Sequence, residues 1–324
     1  VSQCAASDTC CDGACINLQT DAANCGACGN ACDAGEICVA GSCQACNVTC
    51  TGSAAACGTA LQTALSGSAP TLFVCPGTYR GGFSIARTVT VIGAGEGADP
   101  ASNTVLDGNE TQRVLNITSG TVGLQQLHIT GGDAGPSSTD GGGGIKNNGA
   151  TLTVQACTVA GNVGIAGGGV RQIDGTLAMT RCTVRDNEAS FAGGLALIDD
   201  GGPAGQTTLT DCLVANDTAI GGAGGILAGA PLTLAGTTCV TGNTASFSGG
   251  GIFVGIAATV TIGADCRITG NTATDGSGGI NNGGGTVTLE GTADPSPIVT
   301  SNCSENCVGN VPRCQPGGSC PAVP

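Results

Sequence analysis

The chain has 324 residues, a formal charge of -14 from 9 basic and 23 acidic side chains, 59 glycines, 22 cysteines, no Trp and 2% aromatic residues. So few large side chains exclude an ordinary core built on aromatic bulk, and the acidic excess disfavours nucleic acid and anionic membranes as partners. So many thiols point to an oxidising compartment, and a single histidine, His128, leaves little for mixed zinc sites. No apolar run approaches the ~20 residues of a membrane helix, so direct membrane insertion is not expected. The sequence starts at Val1 rather than Met, as after signal-peptide removal, and the expected location is extracellular or cell-surface.

Residues 1–50 read as a separate disulfide module. They hold Cys4, Cys10, Cys11, Cys15, Cys25, Cys28, Cys32, Cys38, Cys43, Cys46 and Cys50 among Gly, Asn, Asp and Ala, with too little apolar surface to fold unaided. Cys25 and Cys28 have the C-x-x-C spacing of a zinc half-site, but thiols this dense favour bridges. Eleven is an odd number, so one cysteine must reach outside the module or stay free. The stretch "CINLQTDAANCGACGNACDAGEICVAGSC" resembles the cysteine-rich repeats of stigma-specific-type proteins. That resemblance implies an extracellular module and no catalytic residue.

Across 51–66, Cys57, Leu61, Ala64 and Leu65 follow one helical stripe and predict a short capping helix. The stretch "TLFVCPGTYRGGFSIARTVTVIGAG" then alternates apolar and polar residues between glycines, the pattern of strands. A Cys57 to Cys75 bridge would pin the helix to the first strand.

From residue 67 to 302 the chain repeats. Asn162, Asn187, Asn216, Asn243, Asn271 and Asn302 recur at intervals of 25, 29, 27, 28 and 31 residues. Three residues before each stand Val159, Val184, Leu213, Val240, Ile268 and Val299, with Cys157, Cys182, Cys212, Cys239 and Cys266 just upstream. A glycine cluster and one aliphatic residue (Val170, Leu195, Ile226, Ile252 or Ile280) follow the first five. Such a period marks a solenoid, and period-two segments such as "ATLTVQACTV" favour strands over helices. The fold class is therefore all-β, a single-stranded right-handed parallel β-helix of about eight coils, roughly 40 Å long at the inter-strand spacing. The handedness rests on the family resemblance described next. The asparagines and the thiols are expected to stack as two structural ladders, and Leu152, Leu177, Leu232, Val260 and Val287 as an inward row.

The glycine pair before an aliphatic residue and the apolar-x-x-Asn strand ends resemble the repeats of polymorphic outer membrane protein-type surface proteins, which are right-handed parallel β-helices. "CPGTYRGGFSI" and "TVTVIGAGEG" resemble the opening coil of pectate-lyase-like β-helices. Here Val, Leu or Ile replaces the usual Phe of Phe-x-x-Asn, and no aromatic-rich barrel segment follows. The first resemblance implies a secreted or surface-displayed structural, adhesive or passenger-like role.

An enzyme acting on polysaccharide is the second reading. Its best acidic pair is Asp199 and Asp200, but "IDDGGPAG" reads as an ordinary long turn, and Gly-His-Gly and Arg-x-Lys are missing. His128 alternates with Leu127 and Ile129 and is expected to face solvent. Asp133 and Asp140 bracket a loop that could hold structural calcium, although the spacing matches no known loop; no other cofactor is expected. A third reading is ice binding, from Thr151, Thr176, Thr259 and Thr286 beside Thr153, Thr208, Thr233, Thr261 and Thr288, an array broken by Ala178, Gln206 and Pro231. Asn47-Val-Thr and Asn116-Ile-Thr are sequons. Residues 303–324 carry Cys303, Cys307, Cys314 and Cys320 as a second cap, and self-association through the two cysteine-rich ends, or contact with other surface components, is the expected partnership.

Overall fold

The computed structural model describes residues 8–135, 141–202, 205–290, 299–300, 302 and the backbone of 307–308. Within them the chain winds as a right-handed parallel β-solenoid of about eight turns. One turn shows the pattern. Ile145–Asn148 lies on face A, Thr151–Gln155 on face B and Thr158–Ala160 on face C. The short ledge Val163–Gly164 follows, and the glycine run then leads back to face A at Val170–Ile173. Faces A, B and C each contain nine strands, and the ledge sheet contains five. Every strand pairs in register with its equivalent one turn away, which satisfies backbone groups that segments of three to five residues could not satisfy alone.

Alternation decides which side chains enter the rod. On face B, Leu152 stacks on Leu177 and Leu232 on Val260 and Val287, with the buried Thr207 between Leu177 and Leu232. On face C the inward column runs Leu106, Ile129, Val159, Val184, Val214, Val240, Ile268 and Val299. Each such aliphatic side chain contributes about 1.5–3 kcal/mol by leaving water, so repetition replaces the bulk that aromatics would supply.

Two of the expected columns are one residue out of step. Val214, not Leu213, stacks on Val184, and the half-exposed Leu213 points outward. The ladder rung of that turn is accordingly Asp217, whereas Asn216 takes the left-handed corner with φ 57° that Gly161, Gly242 and Gly270 take in other turns. An Asn tolerates that conformation better than most residues, so the pair "ND" fills the roles that "GN" fills elsewhere. Likewise Cys239 pairs with Leu213 and faces outward, and the buried residue between Cys212 and Cys266 is Thr238.

The helix Ala54–Ser66 closes the start of the rod with Cys57, Leu61 and Leu65 buried beneath it. Ser53 caps its first turn by accepting from the Ala56 N–H, and Arg87 donates to the Leu65 and Ala64 carbonyls at its end. Gly58 makes the close approach possible, because a Cβ there would stand 1.9 Å from the Arg80 carbonyl oxygen of the first face C strand.

The N-terminal module is two antiparallel hairpins, Thr9–Cys11 with Ala14–Ile16 and Glu36–Val39 with Ser42–Ala45. Cys11–Cys28, Cys25–Cys38 and Cys32–Cys43 staple it internally, and Cys15 is also disulfide-bonded. The expected Cys57 to Cys75 bridge is replaced by two others, Cys50–Cys57 and Cys46–Cys75, which tie the module to the helix and to the first coil. Cys10, expected in a bridge, is an exposed free thiol. Ile37 packs with Ile92 and Ala94 and thereby seats the module on the outside of face B. Cys4, Cys303, Cys314, Cys320 and Asp140, and the side chain of Cys307, lie outside the described residues.

Candidate functional site

Two ionisable side chains on the outer side of face C, His128 and Glu96, are shifted by burial. His128 is buried rather than solvent-facing, because the loop at 93–103 folds over it, and its Nδ1 donates to the Glu96 carbonyl at 3.0 Å. The alternation does point His128 outward, but the covering loop comes from the preceding turn. Burial lowers the histidine's pKa, with the Arg185 charge acting the same way against that hydrogen bond. Glu96 moves up through burial, and the Arg181 charge opposes the rise. An acid, an imidazole and two guanidinium groups thus gather in one region. With His128 only 5% exposed, the imidazole has no open path to a polymer chain.

A polar concavity lies further back on the same face, lined by Thr78, Arg80, Asp107, Asn109, Glu110 and Thr130. Arg80 donates through Nε and Nη2 to Asp107 Oδ2, each at 3.0 Å, which occupies that carboxylate internally. Asp199 and Asp200 sit on an exposed loop. Asp199 Oδ1 accepts from the Gly201 N–H at 3.0 Å, and the Asp200 N–H donates to Asp174 Oδ1 at 3.0 Å, so the carboxyls of Asp199 and Asp174 hold turns together. Asp133 Oδ1 accepts from the Gly135 N–H at 2.7 Å and does the same. Among the described residues, Cys25, Cys32 and Cys43 are the one group close enough together to ligate a metal, and their sulfurs are in disulfides.

The thiol column is structural chemistry at a corner. Cys157, Cys182, Cys212 and Cys266 are unbridged and buried, each with its Sγ directed at a backbone carbonyl, for example Cys157 at Gln155 (3.3 Å) and Cys182 at Val154 (3.4 Å). Thr238 does this with a hydroxyl, within reach of the Ala235 carbonyl at 2.7 Å and the Leu209 carbonyl at 3.1 Å, while accepting from the Cys212 N–H at 3.2 Å. Burial pushes the Cys157 thiol up to about 12, so it stays protonated and unreactive.

The amide ladder is a continuous buried chain of hydrogen bonds. Asn162, Asn187, Asp217, Asn243, Asn271 and Asn302 are each at most 1% exposed. Asn243 Nδ2 donates to the Val214 carbonyl at 3.0 Å and to Asn271 Oδ1 at 2.9 Å, and Asn271 Nδ2 donates to the Val240 carbonyl and to Asn302 Oδ1, both at 2.9 Å. Each asparagine rung therefore gives a strand carbonyl of the turn before a second donor and links one corner to the next. The spacing from thiol to amide was the readable signal for Asp217: it is five residues at Cys157, Cys182 and Cys266, and five from Cys212 reaches Asp217.

Face B offers a uniform outward surface beyond the part that the N-terminal module covers. Its strands contain no charged residue, and its outward side presents Thr90, Thr153, Thr208, Thr233, Thr261 and Thr288, interrupted by Gly123 and Ala178. No helix of the described residues is long and apolar enough to cross a membrane.

Residues 1–46 match the model of the stigma-specific STIG1-like protein family. No curated protein and no solved structure matches the chain.

Proposed function

We propose that this chain is a secreted or cell-surface structural rod, a β-solenoid that displays or spaces other components and associates through its cysteine-rich ends into a filament or surface layer. The observation that carries the proposal is the continuity of the rod. Three nine-stranded parallel faces enclose an aliphatic interior, and the charged clusters on its outside are closed over or already paired. The STIG1-like module and its disulfides support an extracellular setting. The likeness of the glycine-aliphatic repeats to polymorphic outer membrane protein-type repeats supports display at a surface. No catalytic step is part of this reading.

Light scattering after size exclusion, with negative-stain microscopy across a concentration series, tests the assembly. End-to-end rods are expected, and a strictly monomeric rod at high concentration removes the filament. A depolymerisation screen on acidic and neutral polysaccharides, with and without calcium, tests the structural reading itself. Turnover abolished by Asp199→Ala with Asp200→Ala, or by Asp107→Ala, would replace it with an enzyme.

The charge-free threonine surface of face B favours a second reading, ice binding, because a flat regular array of hydroxyls and methyls suits a regular water lattice. Thermal hysteresis lost on Thr261→Lys would establish it, and no hysteresis at all would remove it.

A further inference from the structure

Five rungs of the buried amide ladder are asparagine and one is an acid, Asp217. Its geometry differs from theirs in a single atom. A Cβ added to Gly169 would meet Asn187 Nδ2 at 3.0 Å, and one on Gly225 would meet Asn243 Nδ2 at 3.0 Å. One on Gly194 would meet Asp217 Oδ2 at 2.7 Å, so this oxygen occupies the slot that an amide nitrogen fills in the neighbouring turns. That slot requires a donor. Asn187 Nδ2 donates to the Val159 carbonyl and Asn243 Nδ2 to the Val214 carbonyl, each in the turn before. The register makes Val184 the corresponding carbonyl for Asp217. Asp217 Oδ1 is already used, accepting from the Asn187 N–H at 2.8 Å and from Asn187 Nδ2 at 2.9 Å. Oδ2 is buried with no hydrogen-bond partner among the described residues. A carboxylate here would set one acceptor oxygen against another with no water between them.

We propose that Asp217 is a neutral acid in the folded rod, its Oδ2 hydroxyl donating to the Val184 carbonyl, and that its ionisation makes this turn a joint that loosens as pH rises. The surroundings provide no compensating cation in the slot. The preceding turn brings Arg185, Asp186 and Glu188, with the Arg185 and Asp186 side chains paired to each other. The following turn, 239–245, carries no charged residue, and neither does 212–225 apart from Asp217 itself. Burial lifts the Asp217 carboxyl to about 7, the Asn187 donors pull it down, and the Asp186 charge adds to the rise.

The direction of the linkage follows. The unfolded chain loses this proton near the ordinary carboxylate value of about 4 and the folded chain only near 7, so between those limits the folded state binds more protons. The stability that the protonated rung contributes is complete below pH 4, declines by about tenfold in the folding constant per pH unit, and is gone above pH 7.

Urea unfolding of the disulfide-intact protein, for wild type and Asp217→Asn from pH 4 to 9, tests this. Asparagine supplies the missing donor, so the ratio of variant to wild-type folding constants is expected to climb steadily with pH and level off above about 7. His128 titrates in both proteins and cancels from the ratio. Parallel pH profiles would overturn the proposal. Should Asp217→Asn not fold, infrared spectroscopy of Glu96→Gln, which lacks the other carboxyl that burial raises, reads the acid directly. A protonated-carboxyl band is expected at pH 5.5 that disappears above pH 8, and Asp186→Asn is expected to move its midpoint to lower pH. The absence of that band at pH 5.5 would equally refute it.

Discussion

Replacing Asn243 by alanine measures what one rung of the amide ladder is worth. Asn243 is fully buried and makes three side-chain hydrogen bonds: Nδ2 to the Val214 carbonyl (3.0 Å), Nδ2 to Asn271 Oδ1 (2.9 Å), and Oδ1 from the Asp217 N–H (2.9 Å). In Asn243→Ala, Asn271 Oδ1 keeps a donor, because the residue 243 N–H still reaches it at 3.0 Å. The Val214 carbonyl keeps the ladder N–H of Thr241, whereas the Asp217 N–H loses its partner inside the rod. A buried orphan costs about 1–3 kcal/mol and the emptied side-chain volume adds to it, so the expected loss is about 2–4 kcal/mol. Urea unfolding followed by far-UV circular dichroism, with disulfides intact, is the assay, and Thr261→Ala on the exterior of face B is the control, expected within about 0.5 kcal/mol of wild type. A loss for Asn243→Ala below about 1 kcal/mol would show that the Asp217 N–H finds another partner and that the ladder does not hold the turns together.

Other consequences follow from single contacts. Gly58→Ala places a methyl group 1.9 Å from the Arg80 carbonyl, so the helix must lift from the first coil; a cost of about 1–3 kcal/mol is expected, read as a lower Tm and faster proteolysis between residues 50 and 67. With a maleimide, Cys10 is expected to label at once and Cys239 slowly, whereas Cys157, Cys182, Cys212 and Cys266 label only on unfolding; rapid labelling of any of these four would contradict the sealed interior. His128 has a lowered pKa in the folded rod, so below its unfolded value of about 6.5 the unfolded chain takes up the proton first and stability falls with acidification. His128→Gln is expected to flatten this acid limb, and an unchanged limb would show that the limb arises at other groups.

The architecture was legible because its signal is repeated. Period-two alternation in "TLTVQ" and "TVTIG", with glycine runs between, specifies inward Leu152, Val154, Val260 and Ile262 without any knowledge of neighbouring turns. Legibility failed where a position depends on what comes from another turn. His128 alternates outward, yet a loop from the turn before it buries the ring. Cys75 pairs with Cys46 and Cys57 with Cys50 because the module folds back over the helix and first coil, an arrangement that local spacing does not encode. At residue 216 the amide was matched by residue type, when the constant distance from the thiol column pointed to the acid beside it.

The slips at 217 and 239 share one physical origin. What each corner column requires is a small side chain with a hydrogen to donate at a fixed place, and several residue types meet that requirement. Asparagine meets it always and aspartate only while protonated, which is why an acid can stand at 217 without changing the backbone. In the other column a thiol and a hydroxyl are exchangeable, so threonine at 238 continues a row of cysteines. This equivalence can be measured at Thr238, whose Oγ1 lies 2.7 Å from the Ala235 carbonyl and accepts from the Cys212 N–H at 3.2 Å. Thr238→Cys preserves a donor and a weak acceptor and is expected to cost less than about 1 kcal/mol. Thr238→Val keeps the shape and removes both; the Ala235 carbonyl still accepts from the Asp211 N–H at 3.3 Å, but the Cys212 N–H is stranded, for an expected loss of about 1–3 kcal/mol. Equal losses for the two variants would mean that the column selects for volume alone, and the donor argument would then fail for Asp217 as well.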